Sequence, residues 1–255
     1  MIRLFEYDSK QAQSLSQVPV HQPSIIRVIH GEKSLLWQDE SVLVSQGQLL
    51  LIPAGSHISF VNRPFLGRYR AVQLLLPHVL PQGILSNTAD WRDPMPVQNI
   101  SRAVDLAWNA LLQSLSLSLA DSVQLHYLAA LLLSLPDKRS VNWLYGHTQR
   151  SVTQAALALM SVRPSAPWQQ EEVADKLYMS TASLRRKLAL EDTSFRQLLV
   201  EVRLSHGLAL LQNTGEPLLQ VALACGYQSA EKFSLRFKQQ FGLTLPLIVV
   251  HCEKE

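Results

Sequence analysis

Cysteine is scarce in this sequence, with only Cys225 and Cys252 among 255 residues. A disulfide framework or a four-ligand zinc site needs more cysteines at closer spacing, and so few thiols are typical of proteins from a reducing compartment. The segment from Met1 to Asp8 also lacks the apolar core of a signal peptide. These absences predict a cytoplasmic protein.

Long hydrophobic runs are missing as well. The most leucine-rich stretch, Leu111 to Leu135, is interrupted by Asp121, Gln124 and His126, so it is not expected to span a membrane. Low-complexity segments and blocks of like charge are also absent. Because 47% of the residues are hydrophobic, the chain can bury one large core or two modest ones, which argues against overall disorder.

Neither sign of charge is in large excess, since the formal net charge is +3 at pH 7. That value permits a nucleic-acid partner without requiring one. From Ser151 onward there are eleven Lys and Arg residues against ten Asp and Glu residues, so DNA binding by this half requires clustered basic residues. Two such clusters are present: Arg185, Arg186 and Lys187, then Lys232, Arg236 and Lys238.

Two kinds of hydrophobic spacing divide the chain. Over residues 24–76, short runs of Val, Ile, Leu and Phe alternate with turn residues, which predicts strands. Over residues 97–135 apolar residues recur at helical spacing, which predicts at least two amphipathic helices. Helical spacing resumes at Val152. We therefore predict an α+β protein with one domain over residues 1–145 and a helical domain over residues 146–255.

The helical domain contains a pair of short helices separated by a tight turn. Residues 170–177 and 181–190 have helical spacing, and Tyr178–Met179–Ser180 interrupts them. The hydroxyl of Ser180 is suited to cap the second helix. This pattern predicts a helix-turn-helix unit, whose second helix enters the major groove of DNA. The outward positions of that helix are Ala182, Arg185, Arg186 and Ala189.

A second unit of the same design follows in the sequence. Its first helix begins at Pro217, Cys225–Gly226–Tyr227 forms the turn, and Ser229 can cap the next helix. Gly226 suits the turn because glycine readily adopts a left-handed backbone. Phe233 and Phe237 are spaced to face the core. The outward positions are Ala230, Glu231, Ser234 and Lys238.

A long helix is predicted between the two units, from Phe195 to Gln212. At the standard rise it spans about 27 Å, which approaches the roughly 34 Å of one turn of DNA. A rigid connector of this length would place two recognition helices in successive major grooves of double-stranded DNA.

The residues of this tandem pattern resemble the AraC/XylS family of transcription regulators. The matching stretch runs from Trp168 to about Leu245, and Tyr178–Met179–Ser180–Thr181 is most similar to the subgroup that regulates virulence and stress genes in enteric bacteria. The other matching motifs are Val173–Asp175, Leu184–Leu188, Thr193–Phe195, Val221–Ala222, Cys225–Ser229, Phe233–Lys238 and Phe241–Thr244. The resemblance implies a transcription activator rather than an enzyme, with double-stranded promoter DNA and RNA polymerase as partners.

The first domain resembles the same family more loosely. Residues 47–62 are similar to the small cupin-like β-barrel that many members place before their DNA-binding domain. The helices of residues 97–135 would then form the surface of a homodimer. The expected fold is an N-terminal cupin-like β-barrel with dimerisation helices, followed by a C-terminal all-α domain of two helix-turn-helix units joined by a long helix.

Candidate DNA contacts follow from the outward positions. Arg185 and Arg186 are placed to reach guanine edges or phosphates. Leu235 stands where some family members carry a base-contacting arginine, so the second unit is expected to bind phosphates more than bases. Candidate base-reading residues are Ala182, Arg185, Arg186, Ala230, Glu231 and Ser234. Candidate phosphate-binding residues are Lys187, Arg196, Arg203, Lys232, Arg236 and Lys238.

Two alternatives stay open for these residues. Each basic cluster can be a solvated helix face, and Arg196 and Arg203 can form surface ion pairs. The chain can also regulate mainly through protein contact, with little direct base readout.

A small effector is a further implication of the resemblance. Some members of the virulence subgroup bind long-chain fatty acids between the two domains and pair the carboxylate with lysines. Arg27, Lys33 and Arg70 are the candidate partners of such a fatty acid here. The alternative is that these three residues are solvated charges on edge strands.

No metal or other cofactor is expected. A metal-binding cupin needs several convergent histidine and glutamate ligands, whereas residues 47–62 contain His57 alone. His21, His30 and His78 lack ligand spacing, and no role is assigned to them. Cys225 is predicted to pack in the second unit rather than to sense redox state.

Overall fold

The computed structural model describes residues 2–37, 40–77, 80–81, 83–84, 96–137, 139–146 and 151–242. His78, Cys252 and the part of the family motif that follows Gly242 lie outside these residues. Within them, antiparallel sheets and three helices precede six further helices.

The described strands form two antiparallel sheets. The order is β1-β8-β3-β6-β9 in the first sheet and β2-β7-β4-β5 in the second. The strands are β1 (Arg3–Ser9), β2 (Gln13–Pro19), β3 (Ser24–His30), β4 (Glu32–Trp37), β5 (Glu40–Val44), β6 (Gln48–Ile52), β7 (His57–Arg63), β8 (Tyr69–Leu75) and β9 (Val97–Asn99).

Strand β6 contributes to two cores at once. Successive side chains of a strand point to opposite faces, so its unbroken apolar run is buried on both sides. Leu49 and Leu51 pack in a cluster with the helices that cover the first sheet. Leu50 and Ile52 pack in a second cluster, between the two sheets.

The expected cupin-like barrel is not closed. Among the described strands, no hydrogen-bonded pair joins one sheet to the other, and the two sheets face each other across the apolar cluster that contains Leu35 and Leu50. The sequence predicted strands over residues 24–76, which contain β3 to β8, but it predicted neither β1, β2 and β9 nor this open arrangement. Hydrophobic alternation indicates which face of a strand is buried and not which strands pair.

Three helices cover the first sheet: α1 (Arg102–Ser116), α2 (Asp121–Ser134) and α3 (Arg139–Gly146). The Ser101 hydroxyl caps α1 by accepting a hydrogen bond from Val104 N. Trp108 of α1 is buried in the same cluster as Leu128 of α2. At least two helices were predicted over residues 97–135, and α1 and α2 lie there, but residues 97–99 form β9 instead of helix.

The C-terminal half consists of α4 (Val152–Ser161), α5 (Gln170–Lys176), α6 (Thr181–Leu190), α7 (Phe195–Asn213), α8 (Leu218–Ala224) and α9 (Ala230–Phe241). Both helix-turn-helix units and the helix between them lie where the sequence predicted them. No helix in the described part of the chain is long and apolar enough to cross a membrane.

The second helical unit shares its core with the sheets. Leu15 of β2 is buried in one cluster with Leu204 of α7 and Phe237 of α9. The neighbouring Ser16 hydroxyl donates a 3.2 Å hydrogen bond to the carbonyl oxygen of Phe241. The position of α9 therefore depends on β2 as well as on its own unit.

Candidate nucleic-acid interface and adjoining cavity

The first helix-turn-helix unit consists of α5 and α6. Its core is apolar, since Val173, Leu184 and Leu188 are fully buried in one cluster. The Ser180 hydroxyl accepts a 3.2 Å hydrogen bond from Ser183 N, as the sequence predicted for the cap of α6. This cap fixes the start of the helix that would enter a major groove.

The outer face of α6 is basic. Ala182, Arg185 and Arg186 are exposed at helical spacings of three and four residues, so they share one face. Lys187 is also exposed, one position further round. All four residues predicted to contact DNA from this helix are therefore accessible to a duplex.

The second unit, α8 and α9, has an aromatic core. The rings of Phe233 and Phe237 lie 5.5 Å apart, and those of Phe237 and Phe241 lie 4.6 Å apart. The Ser229 hydroxyl accepts a hydrogen bond of 3.3 Å from Lys232 N and caps α9. Spacings of four residues thus produce the buried face that the sequence predicted.

The outer face of α9 is less suited to reading bases. Ala230 and Ser234 are half-buried, and the Ser234 hydroxyl donates a 2.7 Å hydrogen bond to the Ala230 carbonyl oxygen. Leu235 is 60% exposed. The exposed charged side chains on this helix are Glu231, Lys232, Arg236 and Lys238.

The two basic candidates on α7 lie in different environments. Arg196 is exposed near the start of the helix. Arg203 is half-buried, and its Nη2 donates a 3.2 Å hydrogen bond to the carbonyl oxygen of Ala166, which precedes the first unit. Its guanidinium also lies against Gly226, where an added Cβ would be 3.1 Å from Cζ. Arg203 therefore lies between the segment before the first unit and the turn of the second unit, and this internal contact differs from the phosphate contact that the sequence favoured.

A cavity of about 170 Å³ lies between the sheets and α7. Its walls combine apolar side chains with a few polar groups, as in small-molecule sites. The polar or charged side chains that line it include Arg3, Tyr7, Lys33, Asn62, Ser205 and His206.

Lys33 is the effector candidate that lines this cavity. It is only 4% exposed, and its Nζ donates a 2.6 Å hydrogen bond to Asn62 Oδ1 and lies 3.3 Å from the centroid of the Phe60 ring. Burial lowers the pKa of Lys33 well below its ordinary value. The strand pattern could have indicated this burial, because Lys33 and the buried Leu35 are two residues apart on β4.

The other two effector candidates lie elsewhere. Arg27 forms a 2.8 Å ion pair with Asp105 of α1. Arg70 forms a 3.1 Å ion pair with Glu6 on the adjacent strand. Neither arginine lines the cavity, and each is paired with an acidic side chain of the protein, so the structure does not bring them together with Lys33.

His21, to which the sequence assigned no role, lies between the two halves of the chain. Its Nε2 is 3.0 Å from Ser205 Oγ, and its Nδ1 is 3.5 Å from Glu201 Oε1. Both partners belong to α7. Burial raises the pKa of Glu201 to about 7. No sequence motif indicated this contact, because its members are about 180 residues apart.

Two remaining side-chain predictions concern metal and thiol chemistry. Within the described residues, no group of three or more His, Cys, Asp and Glu side chains is placed to hold a metal ion. Cys225 is buried, and burial raises its pKa to about 12. Its Sγ would lie 3.1 Å from a Cβ added to Gly207. This environment agrees with the predicted packing role, since a reactive cysteine needs a lowered pKa and exposure.

Comparisons with known proteins are consistent with this arrangement. A family model described as a helix-turn-helix domain matches residues 173–245. The transcriptional regulator SirC of Salmonella typhimurium is 42% identical over 77 residues, which are 30% of this chain and 26% of SirC. The HTH-type transcriptional regulator GadX of Escherichia coli O6:H1 is 30% identical over 224 residues, which are 86% of this chain and 80% of GadX.

The fold of the whole chain also has a solved counterpart. The crystal structure of wild-type ToxT from Vibrio cholerae, with an unsaturated fatty acid bound, matches with a TM-score of 0.63 at 16% identity. The match covers 100% of this chain and 97% of that one. It supports the common arrangement of N-terminal antiparallel sheets and C-terminal helical units.

Proposed function

The chain belongs to the AraC/XylS family of transcription regulators, and on that premise we propose that it activates virulence or stress genes by reading two successive major grooves of promoter DNA. The observation that carries this proposal is the placement of two capped recognition helices, α6 and α9, on either side of one connecting helix. A 19-residue α7 spans about 28 Å, against roughly 34 Å for a turn of DNA.

The two units have unequal roles in this proposal. Arg185 and Arg186 are exposed on α6 and have the length and donors to reach guanine edges. On α9, Glu231 is the exposed candidate for base contact, while Lys232, Arg236 and Lys238 suit phosphates. The first unit therefore reads the sequence, and the second mainly holds the DNA in register.

The direct test is DNA binding by the full chain. A duplex selected by the wild-type chain from a random pool should bind with an affinity that falls steeply with salt, because phosphate contacts release counterions. Arg185→Ala should weaken binding by roughly 1 to 3 kcal/mol and relax the preference at one base position. Lys10→Ala, which removes an exposed charge from the turn after β1, is the matched control and should bind like the wild type.

We propose that the chain binds DNA as a homodimer. We also propose that each subunit has two domains, residues 1–145 and residues 146–255. Support comes from exposed apolar side chains on α1 and α2, including Leu106, Val123 and Leu133. Sedimentation of the wild type and of Leu133→Glu tests this surface: the variant should be monomeric. RNA polymerase is the proposed second partner, detectable as activated transcription in a reconstituted reaction.

An effector of the amphipathic carboxylate class is proposed for the cavity beside α7. Lys33 supplies a buried amine, whose charged form a bound carboxylate would favour, and Val18 and Leu208 are among the apolar residues of the lining. The fatty acid bound to the fold counterpart supports this class of ligand.

One observation favours an alternative, in which the chain regulates through protein contact with little base readout. Leu219, Leu223 and Leu235 are exposed apolar side chains on the second unit. Under this alternative the selection from a random pool would return no shared sequence, and the chain would bind another regulator instead of a promoter.

A further inference from the structure

The turns of the two helix-turn-helix units have the same hydrogen-bond pattern. In the first, the residue after Tyr178 donates its backbone N–H to Ala174 O at 3.0 Å; in the second, the residue after Gly226 donates to Ala222 O at 2.9 Å. Tyr178 and Gly226 also share a left-handed backbone, with φ of +55° and +79°. Tyr178 therefore occupies the position that glycine occupies in the second unit.

The fold does not account for a tyrosine at this position. A side chain with a Cβ is disfavoured at positive φ, whereas glycine is not. The Tyr178 side chain is 97% exposed, so its ring is not part of any core. A strained residue without a packing role is a reason to look for a functional one.

The place of Tyr178 in its unit indicates a partner. In a helix-turn-helix complex the first helix crosses the DNA backbone and the N-terminal residues of the second helix reach base edges. The turn that joins them therefore lies beside the sugar–phosphate chain. Tyr178 is two residues before Ser180, the cap of α6, and the exposed side chains of Arg185 and Arg186 on α6 favour a polyanion over an apolar protein surface.

We propose that Tyr178 is a DNA-backbone contact of the first unit, in which its phenolic O–H donates to a phosphate oxygen beside the groove that α6 enters. Tyrosine hydroxyls are among the groups that bind DNA phosphates. This inference rests on the proposed DNA binding and adds a contact that positions the first recognition helix.

Two substitutions separate the hydroxyl from the backbone. Tyr178→Phe removes the O–H and keeps the ring and the strain, while Tyr178→Gly removes the side chain and relieves the strain. Val162→Ala, at another exposed apolar side chain outside both units, is the control. Each full-length variant is titrated with the duplex selected by the wild type and with a duplex of random sequence, at several salt concentrations, and its Tm is measured.

Both tyrosine variants should bind both duplexes roughly threefold to tenfold more weakly, as expected for loss of one hydrogen bond. The loss should be similar for the two duplexes because a phosphate contact carries no sequence information. The salt dependence should not change, since no cation is removed. The Tm of Tyr178→Gly should be above that of the wild type, so that stability and affinity change in opposite directions.

Other outcomes overturn the inference in distinguishable ways. If both variants bind both duplexes with wild-type affinity, Tyr178 does not contact the DNA. If DNA binding is unchanged but transcription is reduced, Tyr178 contacts a protein partner instead. A loss confined to the selected duplex would assign it to a base. If the wild type itself binds neither duplex, the proposed function fails and this inference fails with it.

Discussion

His21 Nδ1 lies 3.5 Å from Glu201 Oε1, across the boundary between the sheets and α7. His21 is in the segment after β2, and Glu201 is on the helix that connects the two DNA-binding units. Both side chains are largely buried, at 11% and 16% exposure. Any change in the protonation of this pair therefore acts at the contact between the N-terminal half and the connector.

The pKa of Glu201 predicts that the folded chain loses stability as pH rises. Its pKa is raised from 4.5 to about 7 by burial. Because its pKa is higher in the folded state, Glu201 contributes up to about 3 kcal/mol to the free energy of unfolding below pH 4.5. This contribution falls as the pH rises and is lost above about pH 7. Denaturant titrations at pH 5 and pH 8 should show this fall in the wild type and a smaller one in Glu201→Gln.

The same comparison controls for neighbouring groups. Groups that line the groove beside Glu201 without contacting it, such as His57, are present in both proteins. A titration that does not depend on Glu201 therefore cancels in the difference, and what remains belongs to Glu201 and its contact with His21. Identical pH dependence of the two proteins would show that Glu201 ionises normally.

Arg203 is predicted to stabilise the pair of units rather than to bind phosphate. Arg203→Met removes the 3.2 Å hydrogen bond to the Ala166 carbonyl oxygen, which keeps its 2.8 Å hydrogen bond from Trp168 N. The loss of this one hydrogen bond should lower the free energy of unfolding by about 0.5 to 1.5 kcal/mol. Arg196→Ala, at an exposed position, should change stability by less than about 0.5 kcal/mol.

Salt-dependent DNA binding supplies the second readout for these two arginines. Arg196→Ala should reduce the slope of log affinity against log salt by about one if Arg196 contacts a phosphate, and Arg203→Met should leave the slope unchanged. A reduced slope for Arg203→Met, with unchanged stability, would contradict the structural role.

Local features of the DNA-binding half were predictable from the sequence. The caps Ser180 and Ser229 both accept the backbone hydrogen bonds expected of them. The buried Phe233 and Phe237 follow from a spacing of four residues. Such features depend on residues within one or two helical turns of each other, so the spacing of residues in the sequence predicts them.

Contacts between distant segments were not predictable in the same way. Arg203 was expected on the surface. Its contacts with Ala166 and Gly226 depend on how three helices pack, which sequence spacing does not show. Lys33 could be placed on a strand, but its cavity is completed by α7, from the other half of the chain. Helical and strand periods indicate which side of an element is buried and not what covers it.

Leu15 is predicted to couple β2 to the second DNA-binding unit. It is 1% exposed in the cluster that contains Phe237, so Leu15→Ala should lower the free energy of unfolding by about 2 to 5 kcal/mol. Leu4→Ala, at a 37% exposed position on β1, should have a smaller effect. Hydrogen exchange of α9 amides should be faster in Leu15→Ala, and protection equal to that of the wild type would show that α9 does not depend on β2.

Lys33 is predicted to determine whether a fatty acid stabilises the protein. Its amine is buried against the Phe60 ring with Asn62 as its hydrogen-bond acceptor, and a bound carboxylate would stabilise the charged form that burial disfavours. Oleate, below its critical micelle concentration, should therefore raise the Tm of the wild type, because a ligand that binds only the folded state stabilises it. Lys33→Met should have a Tm at or above that of the wild type without oleate, since it replaces a buried polar group with an apolar one, and oleate should shift it little. Arg70→Met, which removes an exposed cation paired with Glu6, is the matched control and should respond to oleate as the wild type does. An equal response of all three proteins would place the fatty acid outside this cavity.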